Sequence, residues 1–254
     1  MTLPVTPSFR LDGRRALVTG AGRGIGLALA AALAEHGAAV TLTARTSDEV
    51  EAAAAAIRDA GHLAQAAVLD VTDSAAVATF FGNNDAFHIL VNNAGTNRPK
   101  PMQDVTEDDY DAVLDLNVKA TFFVAQGCAT AMIASAIPGS LIHIGSQMGH
   151  VGGPSRSLYC ASKWAIEGMS KSFALDLAPH GIRSNTIAPT FIETPLTRPY
   201  FEDATFRAAV LAKIKLGRIG RVEDLMGAVV YLASDASALV TGSSMLVDGG
   251  WTAD

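Results

Sequence analysis

The sequence predicts an α/β fold, a doubly wound parallel sheet of seven strands in a single domain, on three observations. Short β-rich runs alternate with helical stretches along the chain, with no break in composition and no internal repeat. Crossovers within one parallel sheet produce that alternation. A glycine run, Gly20-Ala21-Gly22-Arg23-Gly24-Ile25-Gly26, sits between the first strand and the first helix. Apolar residues make up 49% of the 254 and charged residues only 17%, so there is material to bury a sheet on both faces.

Taken in order, residues 1–13 form an arm leading into the first strand, 15–19. The glycine run follows, then an Ala/Leu-rich helix to His36. Glycines let the backbone turn tightly and approach a pyrophosphate, and the helix N-terminus presents free N–H groups with a positive dipole end. Strand–glycine loop–helix is the context a dinucleotide-binding, Rossmann-type unit requires; the competing reading is a structural glycine turn. The second strand, 39–43, ends at Ala44-Arg45. An acid about 20 residues past the loop takes the ribose hydroxyls in NAD-binding units. Ala44 stands there instead, and Arg23 with Arg45 can pair with a 2′-phosphate, which favours NADP(H) over NAD(H). The plainer alternative leaves both arginines as solvated surface charges.

A helix over 48–60 closes at Gly61, and 63–69 forms the third strand, ending at Asp70-Val71. Val77, Phe80 and Phe81 give the next helix a core face. The fourth strand, 87–91, runs into Asn92-Asn93-Ala94-Gly95, small residues that admit a ligand and amides that can brace adjacent strands. One long helix is expected from Thr106 to about Ala136, with Asn117 as a polar residue among apolar neighbours. The fifth strand, 141–144, delivers Ser146. A helix then runs to about His180, and the sixth strand, 182–188, leads to Pro189-Thr190-Phe191-Ile192-Glu193-Thr194. Residues 195–220, which hold Pro195, Pro199, Tyr200, Phe201 and Phe206, interrupt the alternation and read as a lid over the site. A helix over 222–234 and a strand over 243–247 complete a single domain, 1–254.

The chemistry centres on Ser146, Tyr159 and Lys163. Tyr159 and Lys163 are four apart, so a helix projects them from one face. A phenol has an unperturbed pKa of about 10, and an ammonium beside it stabilises the phenolate, making the pair usable as a general acid/base. Ser146 follows a buried strand, at the carboxyl edge where open α/β sheets bind ligands.

With the glycine loop, Asn92-Asn93-Ala94-Gly95, Asn117, Ser146, Tyr159, Lys163 and the closing Val247-Asp248-Gly249-Gly250 in this order, the chain resembles the classical short-chain dehydrogenases/reductases from about residue 10 onward. The resemblance implies a catalytic set of Asn117, Ser146, Tyr159 and Lys163. Tyr159 would exchange a proton with the substrate oxygen while nicotinamide C4 exchanges a hydride with its carbon. Lys163 would bind the nicotinamide ribose and lower the Tyr159 pKa, Ser146 would hold the substrate oxygen, and Asn117 would support a water-linked proton relay. Cofactor contacts would come from Gly20, Arg23, Gly24, Ile25 and Gly26, then Arg45, Asp70 and Val71. Asn93, Ala94 and Gly95 would follow, with Tyr159, Lys163, Pro189, Ile192 and Thr194. Thr190 stands where the family commonly has glycine. The resemblance also implies a homotetramer.

The leading function is therefore a ketone/secondary-alcohol oxidoreductase acting on a small molecule. Asn97, Arg98, Gln147, His150 and Arg156 would give its pocket polar or cationic walls suited to a sugar acid or polyol, unless they face water. His150 and Arg98 are the expected substrate contacts, beside Ser146. Gluconate 5-dehydrogenase-like and 3-oxoacyl-acyl-carrier-protein reductase-like members are the two similar groups, and the second is the alternative activity. A non-catalytic nucleotide-binding scaffold has no need of the complete Asn/Ser/Tyr/Lys set. The formal charge of −6 argues against a nucleic-acid partner. No apolar run reaches the roughly 18 residues of a membrane span, and two cysteines make no metal-ligand cluster or disulfide framework. A cytoplasmic location is expected.

Overall fold

The computed structural model describes residues 1–253. Seven strands, β1 (Arg15–Thr19), β2 (Ala39–Ala44), β3 (Ala64–Val68), β4 (Ile89–Asn92), β5 (Gly139–Ile144), β6 (Ile182–Pro189) and β7 (Ser244–Val247), form one sheet in the order β3-β2-β1-β4-β5-β6-β7. Every pair is parallel. The central strands β4 and β5 are buried at every position, which is why they read as continuous apolar runs. β3 lies at an edge and is partly exposed, with Gln65 donating to Thr41 Oγ1 at 2.8 Å.

Helices α1 (Gly24–Glu35) and α8 (Glu223–Ala233) cover one face, burying Leu29 and Leu33 against Leu225 and Val229 with the strand side chains between. On the other face α3 (Ser74–Gly82) and α5 (Thr121–Ala134) bury Val77, Phe81, Val124 and Met132 against Leu17, Leu90 and Leu141. Cys128 belongs to this second core, and burial pushes its thiol well above the ordinary range. Flanking the sheet are α2 (Ser47–Asp59), α4 (Glu107–Leu114), α6 (Ser157–Leu177) and α7 (Ala204–Lys213). No helix among the described residues is long and apolar enough to cross a membrane.

The long helix expected from Thr106 is present, running unbroken from Glu107 to Ala134, but it is not α-helical throughout. Thr106 does cap it, accepting from Asp109 N at 3.2 Å while Asp109 Oδ2 accepts from Thr106 N at 3.1 Å. Between α4 and α5, however, residues Asp115–Ala120 form a π-helical turn centred on Asn117. An extra residue in the turn widens the helix where the buried Asn117 carboxamide reaches across to another segment.

Residues 195–220 contain a 3-10 turn, Arg198–Glu202, followed by α7. An aromatic cluster ties this segment to the loop after β6: the ring centres of Phe201 and Phe206 lie 6.1 and 5.6 Å from that of Phe191, and Trp251 lies 5.7 Å away on its other side.

Candidate active site

Strand order reverses between β1 and β4, so their carboxyl ends open a crevice. Asn93 closes its floor. Its Nδ2 donates to the Thr19 and Gly20 carbonyls at 2.9 and 3.0 Å, and Thr19 Oγ1 accepts from the N–H groups of Asn93 and Ala94, each at 3.1 Å. Gly20 has φ +62°, and a Cβ there would lie 2.9 Å from Ala94 Cα. A Cβ on Gly26 would strike the Gly20 carbonyl oxygen. The two glycines are therefore required by the packing of the turn as well as by its ligand.

The cleft holds about 480 Å³ and runs from the glycine loop to Tyr159. At the loop end Arg23 precedes α1 in extended conformation without a side-chain cap, and Gly24 and Ile25 line the wall. Uncapped first-turn N–H groups beside a cleft make a site for a pyrophosphate. Further out lie Ala44 and Arg45, with Glu49 from the first turn of α2. Glu49 Oε1 stands 3.5 Å from Arg23 Nη1. The expected contacts Gly20, Gly26, Val71, Asn93, Ala94 and Gly95 line the cleft, as do Pro189, Ile192 and Thr194. Asp70 does not: its carboxylate turns back to accept from Thr72 N at 3.0 Å and Thr72 Oγ1 at 2.7 Å, bonds that hold it below the usual carboxylate range.

At the far end β5 and α6 bring Ser146, Tyr159 and Lys163 together. Ser146 Oγ donates to Gln147 Oε1 at 2.7 Å, accepts from Met148 N at 3.1 Å, and is a hydrogen-bond partner of the Tyr159 phenol. Burial pushes the phenol's pKa up, while the Ser146 bond and the Arg156 charge pull it down. Lys163 Nζ lies over the Tyr159 ring, 5.5 Å from its centre, and donates to the Ile144 carbonyl at 2.7 Å. Burial lowers the Lys163 ammonium to about 8, opposed by the nearby Glu167 carboxylate.

Asn117 is not among the residues lining the cleft. Its Oδ1 accepts from Thr96 N at 2.8 Å, and its Nδ2 donates to Thr96 O at 2.9 Å and Ser162 Oγ at 3.0 Å. The carboxamide thus fastens the loop after β4 to the helix that carries Tyr159.

The two expected substrate contacts face elsewhere. His150 Nε2 lies 2.9 Å from Ser244 Oγ and 3.5 Å from Glu167 Oε1, behind the Ser146 loop. The hydrogen bond that holds it there is to Ser244. Arg98 pairs with Asp108 and Asp109 at the start of α4, with Asp109 Oδ1 at 3.3 Å from its Nη1. Neither lines the cleft. Asn97, Gln147 and Arg156 do.

Several lining residues were not singled out from sequence. Glu49 reads there as an ordinary first-turn acid, and Leu116 and Met148 carry no local signal. Thr190 keeps the strand's path, its N–H donating to Val247 O at 3.2 Å, and leaves a buried Oγ1 without a hydrogen-bond partner in the cleft.

Comparison with known proteins gives a concordant result. The family described as enoyl-(acyl carrier protein) reductase matches residues 20–252. D-erythrulose reductase of Gallus gallus is 38% identical over 245 residues, covering 96% of this chain and 98% of that one. Gluconate 5-dehydrogenase of Gluconobacter oxydans is 39% identical over 248 residues, covering 96% of each. Among solved structures, a gluconate 5-dehydrogenase from Burkholderia cenocepacia in complex with NADP and tartrate superposes with a TM-score of 0.92 at 41% identity, covering 97% of this chain and 98% of that one. With a sheet of this order, a glycine loop at its switch point and Ser146, Tyr159 and Lys163 around one cleft, the chain belongs to the classical short-chain dehydrogenases/reductases.

Proposed function

We propose that this chain is an NADP(H)-dependent oxidoreductase that interconverts a ketone and a secondary alcohol on a polyhydroxylated small molecule. The observation that carries the reading is a phenol, Tyr159, half-buried beside the Ser146 hydroxyl at one end of a cleft whose other end is an uncapped helix N-terminus. The cleft fits the dinucleotide: Gly20, Gly24 and Ile25 receive the pyrophosphate, and Arg23 with Arg45 faces the 2′-phosphate beside the small Ala44. When bound, the nicotinamide supplies or accepts the hydride.

The chain's own residues then manage the proton and the geometry. Ser146 holds the substrate oxygen and Tyr159 Oη gives it a proton in reduction or takes one in oxidation. Lys163, charged below about pH 8, donates to the Ile144 carbonyl in the cleft and would hold the nicotinamide ribose there. Asn117 acts at one remove, by positioning the loop at Thr96. Residues 195–220 act as the lid: Leu196, Thr197 and Tyr200 line the cleft, and the Phe191 cluster gives the segment an apolar seat.

Asn97 and Gln147 line the reacting end, and the relatives reported above are named for erythrulose and gluconate, which supports a polyol, ketose or sugar acid as substrate. We also place the protein in the cytoplasm, its two cysteines being free, and infer a homotetramer. Support for the latter is the exposure of Phe122, Phe123 and Ile133 on α5 and of Trp164 and Leu175 on α6.

The test is a screen of ketoses, ketoaldonates and β-ketoacyl thioesters with NADPH and NADH. Turnover of a polyhydroxy ketone with NADPH preferred is expected. Activity confined to the thioesters would replace this reading with an acyl-carrier-protein reductase.

A further inference from the structure

Arg156 is a buried cation without an anion. It immediately precedes α6, three residues before Tyr159, and is 8% exposed. Among the described residues its guanidinium has no hydrogen bond and no ion pair. The acidic groups acting on it are the Tyr200 and Tyr159 phenols and the Cys160 thiol, none of them a carboxylate. Its stem is buried while its nitrogens keep contact with the water of the cleft, which leaves them open to an anion that enters there. A guanidinium five donors strong that faces a cleft is matched in shape and charge to a carboxylate.

The rest of the cleft points the same way. Its one carboxylate, Glu49, lies at the opposite end beside Arg23. The reacting end holds two cations, Arg156 and Lys163, and Lys163 is already engaged by the Ile144 carbonyl. The two residues expected to provide an anion site, His150 and Arg98, are engaged by Ser244 and by Asp108 and Asp109. Among the described residues, Arg156 is therefore the free positive charge next to the reacting centre.

We infer that the substrate carries a carboxylate, so that it is a sugar acid rather than a neutral polyol or ketose, and that Arg156 binds that carboxylate while Tyr159 serves the neighbouring hydroxyl or keto oxygen. The assignment rests on the oxidoreductase reading above. One guanidinium with no second uncommitted cation suits a monoanion better than a phosphate ester.

The test compares gluconate, glucitol and glucitol 6-phosphate as substrates with NADP, in the full-length protein and its Arg156→Gln and Arg156→Lys variants. Melting temperature and NADPH binding verify that each variant is folded. Expected are a preference of the unaltered protein for gluconate over glucitol and a loss of about ten- to hundredfold in that selectivity in Arg156→Gln, mostly in KM. Arg156→Lys should recover part of it. Equal losses on gluconate and glucitol, or no preference for gluconate at the outset, would overturn the inference and leave the oxidoreductase reading standing. A preference for the phosphate ester would overturn the carboxylate assignment. If no ketose, polyol or sugar acid is turned over, the oxidoreductase reading falls, and calorimetric titration with tartrate against neutral threitol decides the anion site alone. Tartrate binding weakened by Arg156→Gln supports it, and binding that is absent or unchanged removes it.

Discussion

Asn117 holds Thr96 by both backbone groups, accepting from its N–H at 2.8 Å and donating to its carbonyl at 2.9 Å. The same amide reaches Ser162 at 3.0 Å, so the loop after β4 and the Tyr159 helix are joined through one side chain. Asn117→Ala would leave both Thr96 groups without those partners. Its cost should be about 2–6 kcal/mol at most, given 1–3 kcal/mol for each buried polar group left unsatisfied and Thr96 being only partly buried. Urea denaturation measures it, and a loss under about 0.5 kcal/mol would show that water replaces the amide freely.

Tyr159→Phe removes only the transferable proton. Turnover should fall by roughly 10²–10⁴, the usual contribution of general acid/base catalysis, while NADPH still quenches or shifts protein fluorescence as before. Near-normal kcat in the variant would assign the proton to another group.

Cofactor choice has an arginine–carboxylate element that motif reading did not isolate. Glu49 stands 3.5 Å from Arg23, so a 2′-phosphate must compete with it for the guanidinium. Glu49→Gln should lower KM for NADPH a few-fold, since both partners are largely solvent-exposed and such pairs are weak. Ala44→Asp with Arg45→Ala should do the reverse, removing a cation and adding a repelling charge, and raise kcat/KM for NADH relative to NADPH. An unmoved ratio in the double variant would mean that the adenosine end binds elsewhere.

The parts of this molecule that sequence could foretell are those in which chain position alone dictates place. Strand–helix alternation puts every strand end at one edge, so the glycine loop, Asn93 and Ser146 had to converge there. Tyr159 and Lys163 needed only helical spacing. Contacts set by competition among side chains were not legible. His150 sits in the right loop but is held by Ser244, 94 residues on, and Arg98 is captured by two aspartates ten and eleven residues on. The π-helical turn was also hidden, because its cause is a tertiary bond from Asn117. The corrected positions change an expectation: His150→Ala and Arg98→Ala should leave KM within about twofold, where a lost charge-assisted substrate bond would raise it tenfold or more. A tenfold rise in either would restore that residue to the substrate site.

The last prediction concerns acid sensitivity. His143 lies on β5, 1% exposed, with Asn92 Nδ2 and Ser184 Oγ each 3.3 Å from its ring nitrogens and Phe173 beside it. No carboxylate is among these contacts, so burial alone drives its pKa from the ordinary 6.5 down to about 4. The folded protein therefore keeps the ring neutral where the unfolded chain protonates. Between pH 6.5 and 4 the unfolded state binds more protons, so stability falls as pH falls through that window and levels off below it. From pH 7 to pH 5 the single group should cost about 2 kcal/mol, at 1.36 kcal/mol per pKa unit of difference between the two states. His143→Gln keeps a polar side chain of similar reach to Asn92 and Ser184 but cannot titrate. Its denaturation free energy should lose less than that of the unaltered protein over the same pH step, by that amount. Parallel losses in the two would mean that other groups account for the acid sensitivity and that His143 titrates alike in both states.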